Sequence, residues 1–154
     1  SDPIAHLTAV GNIVLKPDEL IALQKFMDAG GLLLFDAAGG STEASESMQA
    51  ILAAMYPAAR NEPLPIDHPI YRGDFPGGRA IESVTYRQSD RLPSTRLPRL
   101  RGLTLNGGLL AIISPEDISA ALVGYPRTNL AGYSPQSAAE LVRAILLWNC
   151  AHQK

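Results

Sequence analysis

Cysteine is almost missing from this chain: one residue, Cys150, among 154. That excludes an internal disulfide framework and any Cys-rich zinc module. No apolar run approaches the roughly 18–20 residues needed to span a bilayer. No basic stretch leads into an apolar segment with a cleavage site, so no signal peptide is visible. Neither sign of charge dominates: 13 Lys and Arg against 15 Asp and Glu leave a net charge of −2. That balance gives no general reason to expect nucleic acid or an acidic membrane as partner. The HExxH and CxxC spacings are absent, and no metal or other cofactor is expected. A Gly-x-Ser-x-Gly or Gly-x-Cys-x-Gly elbow is absent too, so acyl transfer through a covalent intermediate is not expected. What remains is 46% hydrophobic, normal for a globular core and too high for a disordered chain. The length suits one domain, residues 1–154. The chain opens Ser1-Asp2-Pro3 and its first Met is Met27. A mature product or a piece of a longer protein is expected from that start.

Hydrophobic patterning gives an alternating order of elements. Ile4–Val10 reads as a short buried strand ending at Gly11-Asn12. Pro17 sits where a first helical turn tolerates it, and Asp18 and Glu19 suit the helix dipole. Leu20, Leu23 and Met27, with Phe26 beside them, form one stripe, and Gly30-Gly31 stops the helix. Leu32-Leu33-Leu34-Phe35 reads as a strand covered on both faces, as in a parallel sheet, closed by Asp36. Ser41 or Thr42 caps a second helix through Met48, Ile51, Leu52 and Met55, ended by Pro57. After residue 101, Leu103-Thr104-Leu105 leads to an Asn106-Gly107 turn and a buried strand Leu109–Ile113. Ser134-Pro135 starts a last helix with Ala138, Leu141, Val142, Ile145 and Trp148 facing a core. Cys150 falls in its last turn, as a small, inert, partly buried side chain. This order predicts an α/β fold with a mostly parallel sheet.

Residues 57–101 break the pattern. They hold seven prolines, and only one strand is expected among them, near Ala80–Tyr86. Such a stretch is functional or an insertion wrapped on the surface. Charge is uneven here. Residues 1–67 carry nine acids against three bases, 3 − 9 = −6, whereas residues 68–101 carry seven Arg against three acids, 7 − 3 = +4. The plain expectation is that these arginines pair with the acidic first half. The alternatives are planar recognition of carboxylate or phosphate, or docking of the Arg72–Arg101 segment on a partner's acidic surface.

Ligands of open α/β sheets sit beyond the carboxyl ends of the strands. Asp36, the Gly39-Gly40-Ser41-Thr42 loop and Ser114–Asp117 are expected there. Gly40 and Ser41 are candidate anion binders at a helix start, with an ordinary capped loop as the alternative. Asp36 and Asp117 are candidate ligand residues that otherwise cap strand-end turns. Asp67-His68-Pro69 is the most suggestive triplet, because a carboxylate beside an imidazole orients it, tunes it or shares a metal with it. Its alternative is structural hydrogen bonding. His6 in a strand and His152 at the C-terminus make unconvincing third ligands.

Phe26-Met27-Asp28-Ala29-Gly30-Gly31-Leu32-Leu33-Leu34-Phe35-Asp36, followed by Leu64-Pro65-Ile66-Asp67-His68-Pro69-Ile70-Tyr71, resembles the bacterial family catalogued as domain of unknown function 4159. Ile4–Gly11 and Ile112–Ser119 are similar to that family's first and later strands. The resemblance implies a class I glutamine amidotransferase-like fold, a three-layer flavodoxin-like sandwich, without the catalytic cysteine. It implies a site at Asp36, Asp67 and His68, with Asp117 as a fourth candidate, and no particular activity. Two departures stand out: the family's strand and helix ahead of the first strand have no counterpart here, and Val142-Arg143-Ala144 replaces a Gly-x-Asn. Members often form the C-terminal part of longer bacterial proteins with membrane-linked regions, which makes an extracytoplasmic setting one expectation. The leading expectation is a non-catalytic domain that binds a small ligand or a protein partner. The alternative is a hydrolase using the Asp67-His68 pair, with or without a metal.

Overall fold

A computed structural model describes residues 3–87, 96–125 and 129–152. Five strands, β1 (Ile4–Ala9), β2 (Leu32–Ala37), β3 (Arg60–Pro63), β4 (Arg101–Leu105) and β5 (Gly108–Ser114), form one sheet in the order β1-β2-β5-β4-β3. β1, β2 and β5 run parallel, while β4 and β3 are added antiparallel. Helices α1 (Pro17–Asp28), α2 (Thr42–Met55) and α5 (Pro135–Ala151) are long. α3 (Pro69–Arg72) and α4 (Ser119–Leu122) are single turns. Among the described residues no helix is long and apolar enough to cross a membrane.

The continuous apolar run of β2 explains the architecture. All six of its residues are buried, and alternate side chains leave opposite faces of a strand. Leu33 and Phe35 join Met27 of α1 and Met48 and Leu52 of α2 in one core cluster. Leu32 and Leu34 join Leu141 and Ile145 of α5 in the other. Helix α1 ends where expected, because Gly30 takes a φ of +94° and a Cβ on Gly31 would lie 2.4 Å from the Phe26 ring. The β4–β5 hairpin turns on Asn106 and Gly107, both at positive φ, as a two-residue loop with this strand twist requires.

Several expectations need correction. β1 is an edge strand with exposed and half-buried residues in alternation, because only β2 pairs with it. Asp36 lies inside β2 rather than closing it. No strand forms over Ala80–Tyr86. Ile81 and Val84 drop singly into the α5-side cluster, and their N–H groups go to the carbonyls of Tyr71 and Arg96 rather than to a ladder. Tyr86 makes only an isolated bridge with Tyr133. The strand in this region is instead the polar Arg60–Pro63, formed because β4 offers it a free edge. The irregular segment is no surface wrapping either, since Ile70, Tyr71, Ile81, Val84 and Leu100 are core residues. Cys150 is exposed rather than partly buried.

Among the described residues, the ion pairs made by the arginines of this segment stay outside the acidic first half. Arg72 pairs with Asp74 and Arg99 with Glu116. Arg87 donates to the carbonyls of Tyr125, Ala120 and Tyr133, and Arg101 donates to Asn61. Arg91 lies outside the described residues.

Candidate functional site

The parallel strands β2 and β5 end side by side, with Asp36 opposite Ser114 in register. Antiparallel β4 begins at this same edge, because Arg101 pairs with Ile113. Topology alone therefore brings the Asp36–Gly40 turn, the Ser114–Ser119 turn and the Arg99–Arg101 approach to one end of the sheet, the usual place for a ligand.

Asp36 is completely buried and fully engaged. Its Oδ2 accepts the N–H groups of Ile118 and Ser119, each at 3.0 Å. Its Oδ1 accepts the Ser119 hydroxyl at 2.8 Å and meets His6 Nε2 at 2.5 Å. Burial works against the charged form, but His6 and the Ser119 and Ile118 donors outweigh it and hold the carboxyl below its ordinary value. The hydrogen bond to Asp36 raises His6 in turn, against the opposing effect of its own burial. This Ser–His–Asp trio lacks the wiring of a nucleophilic triad. There the imidazole takes the hydroxyl proton on one nitrogen and donates to the carboxylate from the other. Here the single Nε2 faces both Asp36 and Ser119, the latter at 3.4 Å, and the Ser119 proton goes to Asp36. The trio clamps α4 onto the sheet. His6 and Ser119 were not legible as members, because their meeting with Asp36 depends on strand register.

Asp117 is a second clamp. Its carboxylate accepts from Gly39 N–H at 2.5 Å and Ala120 N–H at 2.7 Å. Its main chain bonds to Ala131 and Tyr133. Gly40, at φ +71°, passes so close to this layer that a Cβ would sit 2.4 Å from Ala131. Ser41 caps α2 through Ala44 N–H and also accepts Gly11 N–H. These three residues build the turns around the strand ends.

Between the turns lies a cavity of about 310 Å³, with Ser45, Glu46 and Gln49 of α2 on one wall and Arg99 and Arg101 on the other. Glu116, 3% exposed, lines it as well. Its Oε1 takes Arg99 Nη1 at 3.2 Å, while its buried Oε2 has no hydrogen-bond partner. Burial pushes the Glu116 carboxyl up, against the pull of Arg99. The walls are joined by a chain of hydrogen bonds: Arg101 Nε donates to Asn61, Asn61 to Gln49, and Gln49 to Ser45. The arginine block, the 39–42 loop and the 114–117 turn were the sequence signals for this site, but the pairing of Arg99 with Glu116 was not among them.

Asp67 and His68 stand elsewhere. Asp67 is exposed, and His68 Nδ1 accepts Ile70 N–H to start α3. The His68 ring lies 5.9 Å from that of Trp148, roughly 20 Å along α5 from the helix start beside Asp117 at 1.5 Å per residue. Burial lowers His68, with Asp67 opposing. Asp67 and His68 therefore do not join Asp36 and Asp117. Among the described residues no three His, Cys, Asp or Glu side chains are grouped to hold a metal ion.

The model of the family described as domain of unknown function (DUF4159) matches residues 1–142. None of the curated proteins compared with the chain matches it.

Proposed function

From a chain that belongs to the DUF4159 family, we propose a non-catalytic binding domain whose site is the cavity at the carboxyl ends of β2 and β5. The observation that carries this reading is a pair of arginines on the wall of a polar cavity: Arg99 spends one guanidinium nitrogen on the buried Glu116 and Arg101 spends two on Asn61, so each keeps a further N–H donor. Guanidinium donors left over beside an open cavity suit an anionic ligand. The clamped Ser119 and the separation of Asp67-His68 from the other candidates favour binding over hydrolysis. The finer fold reading is a three-layer flavodoxin-like sandwich of the glutamine amidotransferase-like type. Its support is the parallel β1-β2-β5 core with α1 and α2 packed on one face and α5 on the other. In the parent protein, a bacterial one on this reading, the domain presents this site to a ligand or a partner chain. Asp36, Ser41 and Asp117 act by shaping the crevice, and Gly40 forms part of its wall.

The test is thermal stabilisation by a panel of small carboxylates, amines and neutral amides. Acids are expected to raise the melting temperature of the wild type and not of Arg99→Gln. The same panel leaving both proteins unmoved, together with hydrolysis of nitrophenyl esters that Asp36→Ala abolishes, overturns the proposal.

A further inference from the structure

A second cavity of about 370 Å³ adjoins the first and shares Arg99, Arg101 and Pro115 with it. Its remaining walls are of opposite character: Pro63, Leu64, Leu97, Pro98 and Leu100. The two form a single groove along the sheet edge, polar toward α2 and apolar toward the end of β3. The arginines stand at the junction. Arg99, with 44% of its side chain exposed, spends one guanidinium nitrogen on Glu116. Arg101 commits Nε and one terminal nitrogen to Asn61. Each keeps a further N–H donor, and a planar carboxylate is the group that two such forks accept best. The acidic residues facing this junction are Glu116, already paired and pushed toward its neutral form by burial, and the exposed Glu46 across the polar arm.

Resting on the binding reading above, we infer that the groove takes the C-terminus of a peptide that ends in an aliphatic residue. The terminal carboxylate lies on Arg99 and Arg101, and the last side chain enters the arm lined by Leu64, Leu97 and Pro98. The preceding main chain runs along α2, where Gln49 and Glu46 accept its N–H groups. A free acyl acid shares the carboxylate and the aliphatic part but has nothing to offer Glu46 and Gln49. The combined volume also exceeds what a single amino acid fills, whereas a two- or three-residue terminus occupies both arms.

Titration calorimetry of the whole chain with N-acetyl-Ala-Ala-Leu, its C-terminal amide and octanoate tests this. The acid peptide is expected to bind at least tenfold more tightly than either of the others. Arg99→Gln is expected to erase the difference between acid and amide. Leu97→Ser, at a half-exposed position that leaves the core intact, is expected to weaken the acid peptide severalfold. Equal binding of acid and amide overturns the terminal-carboxylate assignment, and octanoate binding as tightly as the acid peptide replaces the peptide with an acyl chain. No heat from any of the three, while simple carboxylates still stabilise the wild type through Arg99, removes the peptide and leaves the binding site standing. No response to peptides or to simple carboxylates removes both.

Discussion

Replacing Asp36 by Ala removes the acceptor of four contacts at once. The Ile118 and Ser119 N–H groups and the Ser119 hydroxyl lose their partner, and His6 loses its counter-charge. Breaking a buried ion pair by removing one member costs about 3–5 kcal/mol. His6 is 37% exposed and regains water on its own, so the lower end of that range, about 3 kcal/mol, applies here. Urea unfolding followed by circular dichroism reads this as a fall in midpoint of about 1–3 M for an m-value of about 1–3 kcal/mol/M. A thermal melt should drop by about 6–12 °C at about 2–4 °C per kcal/mol for a chain of this size. His6→Ala leaves Asp36 with three donors and is expected to cost only about 1 kcal/mol. A double-mutant cycle should return a coupling of at least about 0.5 kcal/mol between the two positions. If Asp36→Ala unfolds within about 0.5 kcal/mol of the wild type, the usual spread of an inconsequential surface change, or if His6→Ala costs as much as Asp36→Ala, the clamp is wrong.

The same pair sets a pH window. Asp36 is held below its ordinary value of 3.8, so its contribution is present above that value and lost as pH falls through the folded one. His6 is raised above 6.5, so its contribution is complete below 6.5 and lost as pH rises through the folded value. Urea stability should therefore be greatest between these two limits, and His6→Ala should remove much of the decline on the alkaline side. Glu116 is raised above 4.5 and weakens the fold as pH climbs, so Glu116→Gln should flatten the slope that begins near that value. Gly40→Ala meets both a positive φ and the Ala131 backbone, and a loss of about 2–4 kcal/mol in chemical denaturation is expected. A fluorophosphonate probe, followed by mass spectrometry, should leave Ser119 unlabelled. Labelling that His6→Ala abolishes would contradict the clamp.

The fold was legible wherever burial and chain punctuation agree. The four-residue apolar run of β2, Gly30-Gly31, Asn106-Gly107 and the Ser134-Pro135 helix start each have one local solution, and the chain adopts it. Arg60–Pro63 was not legible, since a polar edge strand forms only because β4 is there to pair with it. Ala80–Tyr86 misled for the opposite reason: Ile81 and Val84 have strand-like side chains, yet each serves the core as a single anchor. At the candidate site, Asp36, Gly40, Ser41 and Asp117 were legible from their places after strands and before helices. His6 and Ser119 were not, because strand register brings them to Asp36 across 30 and 83 residues of chain; Arg99 and Glu116 were visible only as parts of an arginine block and a strand-end turn, because their pairing depends on the antiparallel course of β4. Asp67 and His68 attracted notice by adjacency, but the proline that follows fixes His68 as the cap of α3 and turns the pair away from the strand ends.

Whether the cavity walled by Arg99 and Arg101 is the working site can be read by backbone-amide chemical-shift mapping with a mixed panel of acidic, basic and neutral fragments. Acidic fragments are expected to shift a contiguous set of amides at residues 40–49, 99–101 and 116–117, with the His6 and His68 regions still. Shifts centred instead on His6 and Ser119, or on His68 and Trp148, would contradict that assignment and place the working surface of this domain elsewhere.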